Sequence, residues 1–263
     1  MAVKTIDLPS GGELLYEEDD LFASSPTGAM IICPGGGYTF KSKREHLNVG
    51  KRFSMEGIAS FVLEYTVENP PLKFRPLDDL ADAVVYLRLH YKKYNIDPNR
   101  IAVCGFSAGG HLALSFGCLW NRQDVYKSSY ERELIRPNAL ILCYPVVTTG
   151  KFAHAKSIEN LCGDSKELRE WFSLENQVNK DVPPCFVWHT QEDVSVPCQN
   201  SLALISALQE KGVVAEFHLF SWGPHGLSLA DDSCTEPELN RFPDSHVARW
   251  LPLSIQWIKR MWA

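Results

Sequence analysis

The chain has 263 residues, with 26 Lys and Arg against 32 Asp and Glu, for a formal net charge of −6. Hydrophobic residues make up 45% and charged residues 22%, a globular balance and not a disordered one. Net acidity without a basic block excludes nucleic acid as a main partner, and the longest apolar run, Ala139–Val147, falls short of the ~18 residues a membrane span needs.

In chain order, Glu13–Tyr16 reads as an edge strand after Gly11-Gly12, and Ala29–Cys33 is a short apolar strand that stops at Pro34-Gly35-Gly36-Gly37. Ile58–Glu64 is β-rich. From Pro76 the period changes: Leu77, Leu80, Val84, Leu87 and Tyr91 recur at steps of three and four, a helix with Pro76 in its first turn and Asp78-Asp79 favourable to its dipole. After the turn Asp97-Pro98-Asn99 comes a buried strand, Ile101–Cys104, then Gly105-Phe106-Ser107-Ala108-Gly109 and a helix through Trp120. Ala139–Tyr144 and Cys185–His189 are further buried strands. Val196–Lys211 reads as a helix with Leu202, Ile205 and Leu208 on one side, and Val214–Phe220 as a strand. Val247, Trp250, Leu251, Ile255 and Ile258 mark a closing helix. Strands alternate with helices and the inner strands are apolar on both faces, so the expected fold is α/β, a mostly parallel doubly wound sheet in one domain. The stretch between Tyr144 and Cys185 is too long for a simple connection and predicts a small insert, about 146–183, over the C-terminal edge of the sheet.

The eight cysteines include no C-x-x-C pair, and metal-ligand spacing is absent. They read as small buried hydrophobes in a reducing compartment. The N-terminus has no apolar signal-peptide core, which makes the cytoplasm the expected location.

G-x-S-x-G fixes only three positions, and its context carries the argument. Ser107 sits where a buried strand stops and a helix starts, a turn that pushes the hydroxyl out of the sheet while small neighbours let the backbone pass. A serine hydroxyl attacks only if a base takes its proton. In this architecture the acid and then the histidine follow on loops after later strands. Asp193 follows Cys185–His189, and His225 follows Val214–Phe220. The roles are Ser107 as nucleophile, His225 as general base and then acid, and Asp193 as the anchor of the imidazole, with Glu192 an alternative to Asp193. His111 rides the helix one turn beyond Ser107 and reads as structural; His189 lies within a strand; His46, His90 and His154 lack a strand-end context. Ala108 N–H supplies one oxyanion donor, and the Gly35–Gly37 loop supplies the rest. Gly35 through Ser42 nearly spells a phosphate-binding loop, but Phe40 stands where its second glycine belongs.

Together these segments resemble the α/β-hydrolases of the small esterase/lipase group, which includes acetyl esterases and acetyl-xylan esterase-like and feruloyl esterase-like proteins. The resemblance rests on Pro34-Gly35-Gly36-Gly37-Tyr38, the stretch Ile96–His111, Asp193–Pro197 and Pro224–Leu227. It implies an α/β-hydrolase fold, a serine carboxylesterase (EC 3.1.1), and Gly36 and Gly37 as the loop donors. Pro34 replaces the histidine of the lipase-type His-Gly-Gly-Gly, so the hydrogen bond supporting the loop must differ. Tyr38 and Trp222, with Phe40 beside the glycine loop, are candidate substrate contacts; the insert adds His154, Trp171 and Phe172. The expected substrate is a short acyl ester, small or oligosaccharide, with acetyl groups on a sugar as the family-based choice. No cofactor or metal is needed, and no membrane partner is implied. The alternatives are an amide hydrolase, peptidase or formamidase, with the same three residues, and a silent hydrolase fold that only binds.

Overall fold

The computed structural model describes residues 2–17, 26–122 and 129–263. Eight strands form one sheet: β1 (Val3–Asp7), β2 (Glu13–Glu17), β3 (Thr27–Cys33), β4 (Ala59–Glu64), β5 (Ile96–Phe106), β6 (Ala139–Cys143), β7 (Cys185–Thr190) and β8 (Ala215–Phe220). Their order is β1-β2-β4-β3-β5-β6-β7-β8, with β2 antiparallel to both neighbours and every other pair parallel. β2 is therefore an inner strand; the edge belongs to β1, whose exposed Val-Lys-Thr-Ile-Asp alternation carries little apolar signal.

The parallel strands feed two cores because successive side chains point to opposite faces. Ile31, Val103, Leu140 and Val187 join one core; Ile32, Cys104, Ile141 and Trp188 join the other. The first is covered by α2 (Arg75–Leu89), α3 (Ala108–Leu119), the short α4 (Arg132–Ile135) and α7 (Gln199–Glu210), the second by α1 (Leu47–Ser54) and α8 (Trp250–Met261). In α2 the expected Leu77, Leu80, Val84 and Leu87 are all buried, whereas Tyr91 lies past its end. Asp79 does not serve the helix dipole alone: buried, it accepts the N–H groups of Gly12 (3.1 Å) and Thr66 (2.7 Å). α7 starts at Gln199, after the Val196 loop, and buries Leu204 and Leu208 while Leu202 is exposed. All eight cysteines are free and buried.

The chain runs from β3 outward to β4, then returns across it to place β5 on the other side. The crevice at the carboxyl ends of β3 and β5 is thus the topological switch point, the place where open α/β sheets bind ligands. Between β6 and β7 the insert carries α5 (Ala155–Cys162), α6 (Lys166–Trp171) and a short 3-10 turn, Leu174–Asn176. It reaches the switch point through Asn160, whose Nδ2 donates to Gly37 O (2.8 Å) and Thr39 Oγ1 (2.7 Å).

Candidate active site

Ser107 joins β5 to α3 with φ 52° and ψ −114°, a left-handed conformation that costs about 1–3 kcal/mol for a residue with a Cβ. Tertiary contacts hold it there. Its N–H donates to Cys143 O (3.0 Å) and its carbonyl accepts from His111 N–H (3.0 Å) and Val146 N–H (3.1 Å). The flanking glycines are required by space: a Cβ on Gly105 would lie 2.2 Å from Gly109 O, and one on Gly109 would lie 2.1 Å from Cys33 O.

Ser107 Oγ lies 2.8 Å from His225 Nε2, and His225 Nδ1 lies 2.6 Å from Asp193 Oδ2. With Nδ1–H donating to the carboxylate, Nε2 is free to accept the seryl proton. Asp193 is buried; its Oδ1 accepts from the N–H of Ser195 (3.0 Å) and Val196 (2.8 Å), and Oδ2 also faces His189 Nε2 at 3.3 Å. Burial alone would raise its pKa, but hydrogen bonds from His189 and His225, and their charges, hold it well below the usual carboxylate range. Glu192 does not touch the imidazole; it accepts Gly223 N–H (3.0 Å) and so braces the turn before His225.

The glycine loop has the support that Pro34 could not supply. Glu45 Oε2 accepts Gly35 N–H (2.8 Å), Glu45 Oε1 accepts Tyr144 O–H (2.6 Å), and Tyr65 O–H donates to Pro34 O (2.7 Å). Gly35 N–H is therefore occupied. The N–H groups of Gly36, Gly37 and Ala108 meet no protein acceptor among the described residues. Gly36 stands at φ 130°, with Phe40 O only 2.1 Å from where a Cβ would be. The geometry combines a hydroxyl, an imidazole placed to take its proton, a buried carboxylate behind the imidazole and backbone donors nearby, the parts an acyl-transfer site requires.

Comparison with known proteins agrees with that reading of the fold. The family model BD-FAE matches residues 20–208. The chain belongs to the BD-FAE family. The match includes Ser107 and Asp193 and ends before His225. Among relatives, endo-1,4-beta-xylanase B of Butyrivibrio fibrisolvens is 38% identical over 208 residues, covering 77% of this chain and 33% of the relative. The acetylxylan esterase of Xylanibacter ruminicola is 30% identical over 215 residues, 78% of this chain and 42% of the relative. The chain thus spans about a third to two fifths of the length of these relatives. Two solved structures align along nearly the whole chain. An acetyl ester-xyloside bifunctional hydrolase from Caldicellulosiruptor lactoaceticus has TM-score 0.83 and 37% identity, covering 96% of this chain and 89% of that one. A carboxylesterase from Lactobacillus plantarum has TM-score 0.84 and 25% identity, covering 99% and 98%. The fold is that of the α/β-hydrolases.

In this BD-FAE chain the site opens into a cleft of about 430 Å³ whose lining includes Gly36, Gly37, Phe40, Ser107, His154 and His225. His154, from the insert, shares the cleft wall with the serine; its Nδ1 pairs with Ser157 Oγ (2.7 Å), and burial, then the neighbouring His225, lowers its pKa. The other insert aromatics stay away. Phe172 is buried against Phe74 and His111, and Trp171 lies under the Arg122 guanidinium. Tyr38 and Trp222, expected at the substrate, are not on the cleft wall. Tyr38 is buried with its hydroxyl 2.9 Å from His111 Nδ1, and Trp222 is 66% exposed on the turn before His225.

His111 is structural. Its Nε2 donates to Phe172 O (3.0 Å) while Nδ1 accepts from Tyr38, and burial lowers its pKa to about 4. It thereby ties α3 to both the glycine loop and the insert. His46 pairs with Glu64, whose carboxyl is pulled to about 2 by the His46 hydrogen bond, against the opposing effect of burial. Lys41, the lysine of the near phosphate loop, is engaged by Glu64 (3.3 Å) and Tyr65 O. Among the described residues no cluster of three or more potential metal ligands occurs. Sequence reasoning missed Arg44, Glu45, Glu236 and Arg241 on the cleft wall. Arg44, Glu45 and Arg241 act through partners 10 to 190 positions away, and Glu236 through Arg44 and Arg241, so no local pattern marks them.

Proposed function

We propose that the chain is a serine carboxylesterase that works through an acyl-enzyme on short acyl esters, with acetylated carbohydrates as the leading substrate class. The observation that carries the reading is the unbroken line from Ser107 Oγ to His225 (2.8 Å) to Asp193 (2.6 Å) at the switch point. His225 Nε2 takes the seryl proton as Oγ bonds to the ester carbonyl carbon. The oxyanion that forms is met by the N–H groups of Gly36, Gly37 and Ala108, which need no reorganisation. Collapse breaks the C–O bond to the alcohol, and His225 returns the proton to that leaving oxygen. Water then repeats the sequence: His225 takes its proton, hydroxide adds to the acyl carbon, and Ser107 leaves with the proton restored. Asp193 stays ionised throughout and stabilises the imidazolium of each half-reaction.

A cleft of about 430 Å³ suits a small acyl group with a sugar-sized alcohol better than a long chain. The names of the acetylxylan esterase and the bifunctional hydrolase support a carbohydrate ester. The test is hydrolysis of p-nitrophenyl esters of rising acyl length, and acetate release from acetylated xylo-oligosaccharides, by wild type and Ser107→Ala. Turnover highest for acetate and lost by several orders of magnitude in the variant is expected. Turnover that survives the substitution overturns the reading, and preference for matched amides overturns the ester assignment. A protonated imidazole cannot act as base, so kcat/KM is expected to fall on acidification; a flat profile to pH 4 contradicts its role.

A further inference from the structure

The segment Glu236–Arg241 closes on itself. Glu236 N–H donates to Arg241 O (2.9 Å) and Arg241 N–H to Glu236 O (3.0 Å), with Asn240 at φ 54° completing the turn. The two side chains therefore stand side by side, and Arg241 Nη1 bonds Glu236 Oε2. Arg44, nearly two hundred positions earlier in the chain, places its Nε on the same carboxylate oxygen at 2.7 Å. Two guanidiniums so close repel each other, and one shared carboxylate offsets that repulsion.

What the two cations grip is the peptide that carries the candidate base. Arg241 Nε donates to His225 O (2.8 Å), and Arg44 Nη1 donates to Gly226 O (2.7 Å). Gly226 is at φ 80°, and a Cβ there would meet Arg241 Nη2 at 2.7 Å, so glycine makes room for the guanidinium. All three charged side chains are mostly shielded, at 15%, 18% and 29% exposure for Arg44, Arg241 and Glu236. Arg44 also adjoins Glu45, which holds the glycine loop. One short turn, Lys43–Glu45, thus grips the loop on each side of the serine.

We propose that Arg44, Arg241 and Glu236 are positioning residues: a clamp of two guanidiniums on one carboxylate that holds the successive carbonyls of His225 and Gly226 and so keeps the imidazole in line with Ser107. The proposal rests on the reading of Ser107 and His225 as the working pair. A neutral hydrogen-bonding side chain in place of Arg241 lets His225 drift, and a displacement of about 1 Å costs roughly a hundredfold in rate. Lysine restores only part, since an ammonium cannot reproduce the planar fork that serves two acceptors at once.

The test compares wild type, Arg241→Gln, Arg241→Lys and Glu236→Gln on p-nitrophenyl acetate, with circular dichroism to confirm folding. The downfield proton resonance of the His225 Nδ1–H shared with Asp193 is recorded in parallel, since it reports the imidazole without turnover. Arg241→Gln is expected to lower kcat about a hundredfold with KM within a few-fold, and to broaden or abolish the resonance; Arg241→Lys recovers part of both. Unchanged kcat with an unchanged resonance overturns the clamp. So does a raised KM at unchanged kcat, which assigns the guanidiniums to substrate. If Arg241→Gln does not fold, Glu236→Gln, which keeps both arginines, decides the matter by the same two readouts. A wild type that shows the resonance but no ester turnover overturns the esterase reading, while the response of the resonance to substitution still decides the clamp.

Discussion

The serine elbow and the histidine loop meet at 2.8 Å, yet different forces hold them. Backbone packing holds the elbow. Gly105 and Gly109 are pressed against main-chain atoms of Gly109 in α3 and Cys33 in β3, which cannot move without disturbing the helix and the sheet. The histidine loop also bends at glycines, Gly223 (φ 120°) and Gly226 (φ 80°), but the atoms a Cβ would meet there are the side chains of Leu227 and Arg241. Its grip comes from side chains that reach across the fold: Arg44, Arg241 and Glu192 on the backbone, and Tyr144, whose hydroxyl accepts Ser228 N–H at 3.0 Å. The rigid half presents the hydroxyl, and an adjustable half presents the imidazole.

The sharpest way to break this contrast is Gly109→Ala. A methyl group 2.1 Å from Cys33 O and 2.4 Å from Pro34 O has no escape. A loss above about 3 kcal/mol is expected, seen as a collapse of the urea midpoint or as insoluble protein. Gly226→Ala meets only a guanidinium and costs about 1–3 kcal/mol from its positive φ. Equal losses at the two positions would contradict the distinction.

That distinction also explains what could be read from sequence. Apolar runs such as Ile101–Cys104 and Ala139–Tyr144 fall on β5 and β6, and the strand–glycine–serine–glycine–helix pattern falls on the elbow, because steric demands act between neighbours in the chain. The positions of Asp193 and His225, after β7 and β8, were legible along the chain. The side chains that brace them were not, because Arg44 bonds Gly226 across 182 positions and Glu45 bonds Tyr144 across 99. Tyr38 misled for a related reason. It follows the glycine loop in sequence, but its φ of 59° and its bond to His111 go with a buried ring. β1 escaped notice since an exposed edge strand has no apolar signature.

Glu45→Gln tests the glycine side next. One amide oxygen cannot replace a carboxylate that accepts Gly35 N–H and Tyr144 O–H at once. A loss of about tenfold in kcat/KM is expected, in line with removal of a charged hydrogen-bond acceptor worth roughly 1.5 kcal/mol or more. Steady-state kinetics beside a thermal melt check it; an unchanged kcat/KM in a folded variant would show that the loop stands without Glu45.

Smaller effects come from pH. Burial lowers the His111 pKa to about 4 from its usual 6.5, so the folded state keeps the neutral ring while the unfolded chain takes up a proton. The stability due to the neutral ring is complete above about 6.5 and is lost as pH falls toward 4. Asp193, depressed below its usual 3.8, loses its share only below that value, so the two windows are separate. Melting temperatures of wild type and His111→Gln between pH 7 and 4.5 are expected to converge on acidification; parallel curves would contradict a ring held neutral. The smallest effect runs the other way. Burial and the neighbouring Asp79 and Asp82 raise the Asp78 pKa to about 6, so its ionisation works against folding as pH rises from about 4 through 6. Asp78→Asn should stabilise the protein at pH 7 by about 1 kcal/mol or less, given partial solvent screening, with no gain at pH 4. Urea midpoints at the two pH values measure it.

The central claim is that His225 activates Ser107. Reaction with a fluorophosphonate, followed by peptide mass spectrometry and timed in wild type and His225→Ala, tests it most directly. A single adduct is expected, on Ser107, formed orders of magnitude more slowly in His225→Ala. An adduct on another residue, or equal rates in the two proteins, would contradict it.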